Sequence, residues 1–264
     1  MIFDGIIITP TSIKNYITQQ HIMRYVFASN YVKGKIVLDV ACGSGYGSNY
    51  LARKGAKMVF GVDLDNKPLE IARKFYSLPN VKFIQGNVLE LPFPNKFFDV
   101  VISFETIEHL YETDEYIAEI KRVLKKGGIF ICSTPNIKYT QHPPFHVHEF
   151  YPDEFYSLLE NNFFKVEKYA QYITYTQRLN DIFRPKARIY RLISKILSLV
   201  PEGRKVKQII KKSLKRSSAK TNNNITIKPL KIEDSFIPMM NSNKVVLLDS
   251  RKGILRIMVA VCKY

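Results

Sequence analysis

The sequence predicts an α/β fold, a mostly parallel sheet with helices over both faces, interrupted late by a basic helical insertion. Three observations lead there. From residue 35 onward short β-branched runs alternate with helical patterns, the rhythm of crossover helices on a parallel sheet. A glycine-rich turn joins the first of these strands to the first of these helices, in VLDVACGSGYGS at 37–48. After FFKVEKYAQYITY the alternation stops, and strand character returns only in KVVLLD and ILRIMVAVCK.

Taken in order, SIKNYITQQHIMRYVFA predicts a helix ahead of the first strand, KIVLDV, and GSNYLARKG the helix after it. KMVFGVD is the second strand. KPLEIARKFYS follows as a helix, with Pro68 in the first turn, where its missing N–H is harmless. VKFIQGN and FFDVVIS are the third and fourth strands. DEYIAEIKRVLKK is a helix that Thr113 can cap, with Lys125, Lys126 and Gly127 suited to its C-terminal end. GGIFICS is a fifth strand, PDEFYSLLENN a helix, and FFKVEKYAQYITY a sixth strand. Residues 184–216 place Ile189, Leu192, Ile193, Ile196 and Leu197 at helical spacing among many basic residues, and SSAKTNNN reads as a linker. Residues 178–243 are therefore expected to form an insertion, largely helical, before the last strand of one domain spanning 1–264.

With 264 residues, 46% of them apolar, the chain can bury a full core. Its formal charge of +17 suggests a polyanion partner until it is mapped. Residues 178–231 hold 16 Lys/Arg against 2 Asp/Glu, while residues 1–177 hold 19 against 18. Any polyanion contact belongs to that one segment. Cys42, Cys132 and Cys262 are too few and too scattered for a zinc site or a disulfide framework, which points to a reducing, cytoplasmic compartment. No basic leader with an apolar core opens the chain, and no apolar run is long enough to span a bilayer, so the expectation is a soluble protein, at most peripheral to a membrane.

The glycines at 43, 45 and 47 let a ligand approach the backbone, and the following helix offers N–H groups. Their spacing is G-x-G-x-G, not the dinucleotide pattern G-x-G-x-x-G. Asp39, four residues before the first glycine, would repel a pyrophosphate but suits a ligand carrying ammonium and sulfonium charges. A second acid, Asp63, ends the second strand.

This stretch resembles motif I of the class I S-adenosylmethionine-dependent methyltransferases, and the resemblance runs over most of residues 20–170. It implies a Rossmann-like sheet of seven strands, order 3-2-1-4-5-7-6, with the last strand antiparallel. By the same likeness Asp39, Ala41, Gly43, Ser44 and Gly45 surround the methionine part of S-adenosylmethionine, and Asp63, followed by Leu64, holds the ribose hydroxyls. QGNVLELPFPNKFFDVV resembles the adenine-binding turn and fourth strand, with Asn87 where the family usually has Asp, and Val88 beside it. Phe104 is expected either to face the adenosine or to join the core. Arg24, in the helix before the first strand, is placed to meet the methionine carboxylate, and Tyr16 or His21 the adenosine side, unless the helix is an ordinary amphipathic one.

SFETIEHL follows the fourth strand, so Glu105, Glu108 and His109 reach the sheet edge where the methyl group would be transferred; a helical turn there would put all three on one face. His146 and His148 follow the fifth strand in PPFHVHEF. E-x-x-E-H with a later H-x-H-x-F resembles the metal-dependent methyltransferases acting on the 3′-terminal ribose of small RNAs, and its first half also resembles ubiquinone-pathway O-methyltransferases. The first likeness implies a Mg2+ or Mn2+ ion on Glu105, Glu108, His109 and one of the two later histidines, with His148 taken as the ligand. Without a metal, His109 or His148 would act as general base, with Glu105 beside it. As a whole, FETIEHL, STPN and PFHVHEFYPDEFYSLLENNFFKVE look most like methyltransferases of cell-surface glycan and lipopolysaccharide pathways. Methylation of a hydroxyl on a sugar or on a glycan- or lipid-linked small acceptor is implied. On that reading residues 184–216 meet a diphosphate-linked sugar or an anionic membrane surface. RNA is the second partner considered, although little aromatic interleaving supports base stacking there. A plain solvated cap, or a protein that binds the cofactor without turnover, completes the alternatives.

Overall fold

The β-branched runs form eight strands of one sheet. A computed structural model describes residues 16–140, 143–173, 245–247 and 254–264. These belong to one compact unit. The insertion expected at 178–243 lies outside the described residues.

The strands are β1 (Ile36–Val40), β2 (Met58–Asp63), β3 (Val81–Gln85), β4 (Phe98–Phe104), β5 (Leu124–Pro135), β6 (Lys165–Ile173), β7 (Val245–Leu247) and β8 (Ile254–Lys263), in the order β3-β2-β1-β4-β5-β8-β6-β7. The first five pair in parallel, and β8 lies antiparallel between β5 and β6. The seven principal strands thus take the expected 3-2-1-4-5-7-6 arrangement. The eighth is the three-residue strand β7, at the open edge beside β6.

Helices α1 (Tyr16–Ala28), α2 (Tyr46–Arg53) and α3 (Asn66–Phe75) cover one face, where Ile22, Tyr25, Tyr50 and Leu51 pack on Val37, Val100, Ile102 and Ile131. Helices α4 (Thr113–Val123) and α5 (Pro152–Glu160) cover the other, where Ile117, Ile120, Phe155 and Leu159 meet Leu38, Val101, Phe130 and Met258. Strand alternation decides which face each residue joins: Ile131 goes to the first and Phe130 to the second. Burying each such side chain contributes about 1.5–3 kcal/mol.

Two local expectations need correction. The helix expected to run through Lys126 ends at Val123, because buried Leu124 pairs with Phe98 and Lys125 reaches Asp99 at 2.8 Å, so the chain enters β5 a turn early. Nor does SFETIEHL form a helix with its acids on one face. Glu105 sits at φ 54 and reverses the chain, and only Ile107–His109 forms a single 3-10 turn. Thr113 is the first helical residue, with Glu112 at the cap position.

Candidate active site

The carboxyl ends of β1, β2, β4 and β5 share one edge of the sheet because these strands are parallel. Ligands of open α/β sheets bind at this edge. Two non-glycine residues there hold left-handed backbone, Ala41 (φ 55) after β1 and Glu105 (φ 54) after β4. Each costs about 1–2 kcal/mol, a cost that persists where the surroundings fix the chain, as functional sites do.

Asp39 is fully buried and accepts from Ser48 Oγ at 2.5 Å and Tyr25 OH at 3.1 Å. Burial pushes its carboxyl up to about 7, although both hydroxyls favour the charged form. Asp63 Oδ2 accepts from Gly43 N–H at 2.8 Å and Oδ1 from Asp65 N–H at 3.0 Å, so the second-strand acid clamps the glycine loop. Burial raises its pKa as well. The glycines divide the work. At Gly43, φ +54, an added β-carbon would meet nothing within 4 Å, so its face is open. At Gly45, φ +82, it would lie 2.6 Å from both Ala72 Cβ and the Phe83 ring, so that position is set by packing of α2 on α3 and β3. Ser44 Oγ is buried with no hydrogen-bond partner among the described residues.

Leu64 is exposed beside Asp63, and Val88 is buried beside the exposed Asn87, whose Oδ1 accepts from Leu89 N–H at 3.0 Å in a local turn. Phe104 is core: Tyr25 packs edge-on at 5.1 Å and the Arg24 guanidinium lies 5.8 Å from its ring centre. Arg24 is 1% exposed, donates from Nη1 to Gln171 Oε1 at 2.8 Å, and sits 3.9 Å from Glu105. Among the described residues its Nε and Nη2 have no hydrogen-bond partner. His21 is half-buried, its pKa lowered by burial and by the Arg24 charge, and the Tyr16 side chain lies outside the description.

The acids of SFETIEHL are separated by the pleat of β5. Glu105 Oε1 accepts from Ser133 Oγ at 2.9 Å, whereas Glu108 Oε2 accepts from Thr134 Oγ1 at 3.0 Å. Successive strand residues point to opposite faces, so Glu105 lies on the α1 side and Glu108 on the α4–α5 side. Glu108 is 1% exposed, its Oε1 has no partner among the described residues, and burial followed by the Glu105 charge raises its pKa well above the ordinary value. His109 Nδ1 meets Phe145 O at 2.9 Å, and burial lowers its pKa.

The later histidines part in the same way. His146 comes to the cluster, with one donor atom from each of Glu108, His109 and His146 within 4.8 Å of the others. His148 does not: its Nε2 pairs with Glu154 at 2.9 Å and its ring stacks on Phe150 at 4.2 Å. The expected ligand set Glu105, Glu108, His109 and His148 is therefore not assembled around one point. Several site residues carried no sequence signal of their own: Tyr25 and Ser48 on Asp39, Gln171 on Arg24, and Glu149 on His146 Nδ1 at 2.9 Å. The STPN at the end of β5 was visible, but not which hydroxyl meets which acid.

A family model described as a methyltransferase domain matches residues 38–132. The chain is 37% identical over 161 residues to a probable S-adenosylmethionine-dependent methyltransferase of Mycolicibacterium smegmatis, covering 58% of this chain and 61% of that one. It is 38% identical over 110 residues to a fatty-acid O-methyltransferase of the same organism, covering 41% and 40%. The chain thus spans less than two thirds of the length of these curated relatives. Among solved structures, the YcgJ protein from Bacillus subtilis shares the fold with a TM-score of 0.55 at 17% identity, over 94% of this chain and 98% of that one. Glycine loop, paired acids, strand order and matched residues agree: residues 38–132 match a methyltransferase domain, and the chain is similar to S-adenosylmethionine-dependent methyltransferases of class I.

Proposed function

We propose that this protein transfers a methyl group from S-adenosylmethionine to an oxygen of a glycan- or lipid-linked acceptor. The observation that carries the reading is the open face of Gly43, held by Asp63 and backed by buried Asp39, at the carboxyl edge of the parallel strands. On it Asp39, Ala41, Gly43, Ser44 and Gly45 frame the methionine part. Asp63 retains acceptor capacity for ribose hydroxyls, since a carboxylate offers about four lone-pair sites. Leu64, Asn87 and Val88 line the nucleoside side, and the Arg24 Nε and Nη2 groups, without a hydrogen-bond partner among the described residues, suit the methionine carboxylate. The sulfonium leaves as a neutral thioether, so the protein's work is alignment and removal of the acceptor's proton. His109 suits the second task, because burial keeps its imidazole neutral and able to accept. A divalent cation held on that imidazole would take over this role by lowering the acceptor's own pKa.

Two features favour an acceptor with an apolar portion. Tyr111, Phe145 and Tyr151 are exposed aromatics, and Phe145 packs at 5.6 Å from His109. A relative bears the name of a fatty-acid O-methyltransferase. Among the described residues no helix is long and apolar enough to cross a membrane. The basic segment 184–216 is the part of the sequence whose charge suits an anionic, lipid-linked acceptor. Release of S-adenosylhomocysteine in the presence of fatty acids, glycolipid precursors, nucleotide sugars and short RNAs tests this. Turnover with a lipid or sugar acceptor is expected. Turnover with RNA alone, falling steeply with salt, would replace it with the RNA reading.

A further inference from the structure

We infer that Glu108, His109 and His146 form a binding site for one divalent ion of the first-row d-block class, such as Zn2+, Co2+ or Fe2+, in place of the magnesium site that two carboxylates would make. The three donors lie within 4.8 Å of one another. Glu108 is 99% buried and keeps Oε1 without a partner among the described residues, while Thr134 fixes Oε2. An unpaired buried carboxylate oxygen carries a heavy desolvation cost unless something positive meets it.

Both imidazoles are held as metal-binding histidines are. His109 Nδ1 faces the carbonyl of Phe145, which can only accept, so that nitrogen carries the proton and Nε2 the lone pair. His146 Nδ1 faces the Glu149 carboxylate at 2.9 Å, with the same consequence. An acceptor on the far nitrogen is the usual support of a ligating histidine. The ring spacing also fits. Two imidazoles bound to one ion at about 2.1 Å, at angles of about 90–110°, have centres about 4.6–5.4 Å apart; those of His109 and His146 are 4.9 Å apart, with planes at 76°.

Ligand chemistry selects the ion. Two imidazoles with one carboxylate suit zinc, iron, cobalt or nickel, whereas magnesium prefers carboxylates and water. Glu105, which would have made the set acidic, lies across the pleat on Ser133 and Arg24. Three protein donors leave coordination positions open at the edge where an acceptor oxygen would arrive.

The test reads metal binding and not turnover, so it stands whether or not the chain transfers methyl groups. Untagged full-length protein, stripped with chelator and dialysed, is titrated with Co2+ under visible absorption and with Zn2+ and Mg2+ by calorimetry. One Co2+ per chain with saturating d–d bands, displacement by Zn2+, and no saturation by Mg2+ below 1 mM are expected. Glu108→Gln and His146→Ala should weaken Co2+ at least about 30-fold, Glu149→Gln about 10–100-fold, and His148→Ala less than twofold. His146 is only half-buried, so its variant keeps the test decisive if Glu108→Gln fails to fold. Absence of saturable Co2+ binding, His146→Ala binding like the wild type, His148→Ala losing the ion, or saturation by Mg2+ alone would each overturn the inference.

Discussion

At Gly45 an added β-carbon would collide with Ala72 and Phe83, whereas at Gly43 it would meet open space, and both residues hold left-handed backbone. Alanine at Gly45 should therefore cost about 2–4 kcal/mol through overpacking and backbone strain. Alanine at Gly43 should cost only about 1–2 kcal/mol, yet weaken cofactor binding tenfold or more by filling the ligand's face. Thermal unfolding beside titration with S-adenosylhomocysteine separates the two; a Gly43→Ala protein that binds as tightly as wild type would remove the loop from the site. Asp39 makes a pH prediction. Its folded-state pKa of about 7 lies above the ordinary 3.8, so the folded protein keeps a proton that the unfolded chain releases. Stability from this group is full below pH 4 and is lost as pH rises through 7, by at most about 4 kcal/mol. Asp39→Asn should flatten that part of the profile, which melting from pH 4 to 8 in the absence of cofactor would show. An unchanged slope would mean that Asp39 is ionised throughout. Asp39 and Asp63 were legible in the sequence because the first precedes the glycine loop by four residues and the second ends the next strand. Tyr25 and Ser48 were not, because what brings them to Asp39 is the fit of the Tyr25 ring over Gly47, a contact between helices that no spacing rule encodes.

The strands and crossover helices followed from periodicity, since β-branched runs bounded by glycine or acidic caps leave few alternatives. Boundaries were less legible where a tertiary contact competes with local propensity. Leu124 continues a helical pattern, but pairing with Phe98 and the Lys125–Asp99 ion pair draw it into β5. The left-handed Glu105 likewise breaks a helix that E-x-x-E-H alone suggests. The contact of α4 with the loop before β4 is a further case. Arg122 binds Glu119 through two hydrogen bonds, at 2.6 and 2.7 Å, and donates to the carbonyls of Leu91 and Phe93 and to Asn95 Oδ1. This clip secures the segment that follows Asn87 and Val88. Because Arg122 is about one-third exposed, solvent screening limits its value. Arg122→Ala should cost about 1–2 kcal/mol, or about 2–6 °C in Tm, with a larger loss in nucleoside affinity than in affinity for methionine alone. Equal loss for both would show that the clip acts only on global stability.

For the whole molecule, the sheet order follows from β8 returning antiparallel between β5 and β6, so the C-terminal residues complete the core that the first five strands begin. Sequence pattern supplied that order through a family likeness, not through spacing, because nothing local tells the last strand where to insert. Most of the excess positive charge lies in residues 178–231, which hold 16 Lys/Arg against 2 Asp/Glu and fall outside the described part. The proposed cofactor site draws instead on the first 177 residues, where 19 Lys/Arg face 18 Asp/Glu, and on that proposal its ligand is selected by placed carboxylates and open backbone. Isothermal titration of the full chain with S-adenosylhomocysteine, beside NAD as control, tests this most directly. Saturable heat at one molecule per chain with S-adenosylhomocysteine, abolished or much weakened in Gly43→Ala, and none with NAD, is the result predicted. No heat with S-adenosylhomocysteine together with saturable binding of NAD would contradict it.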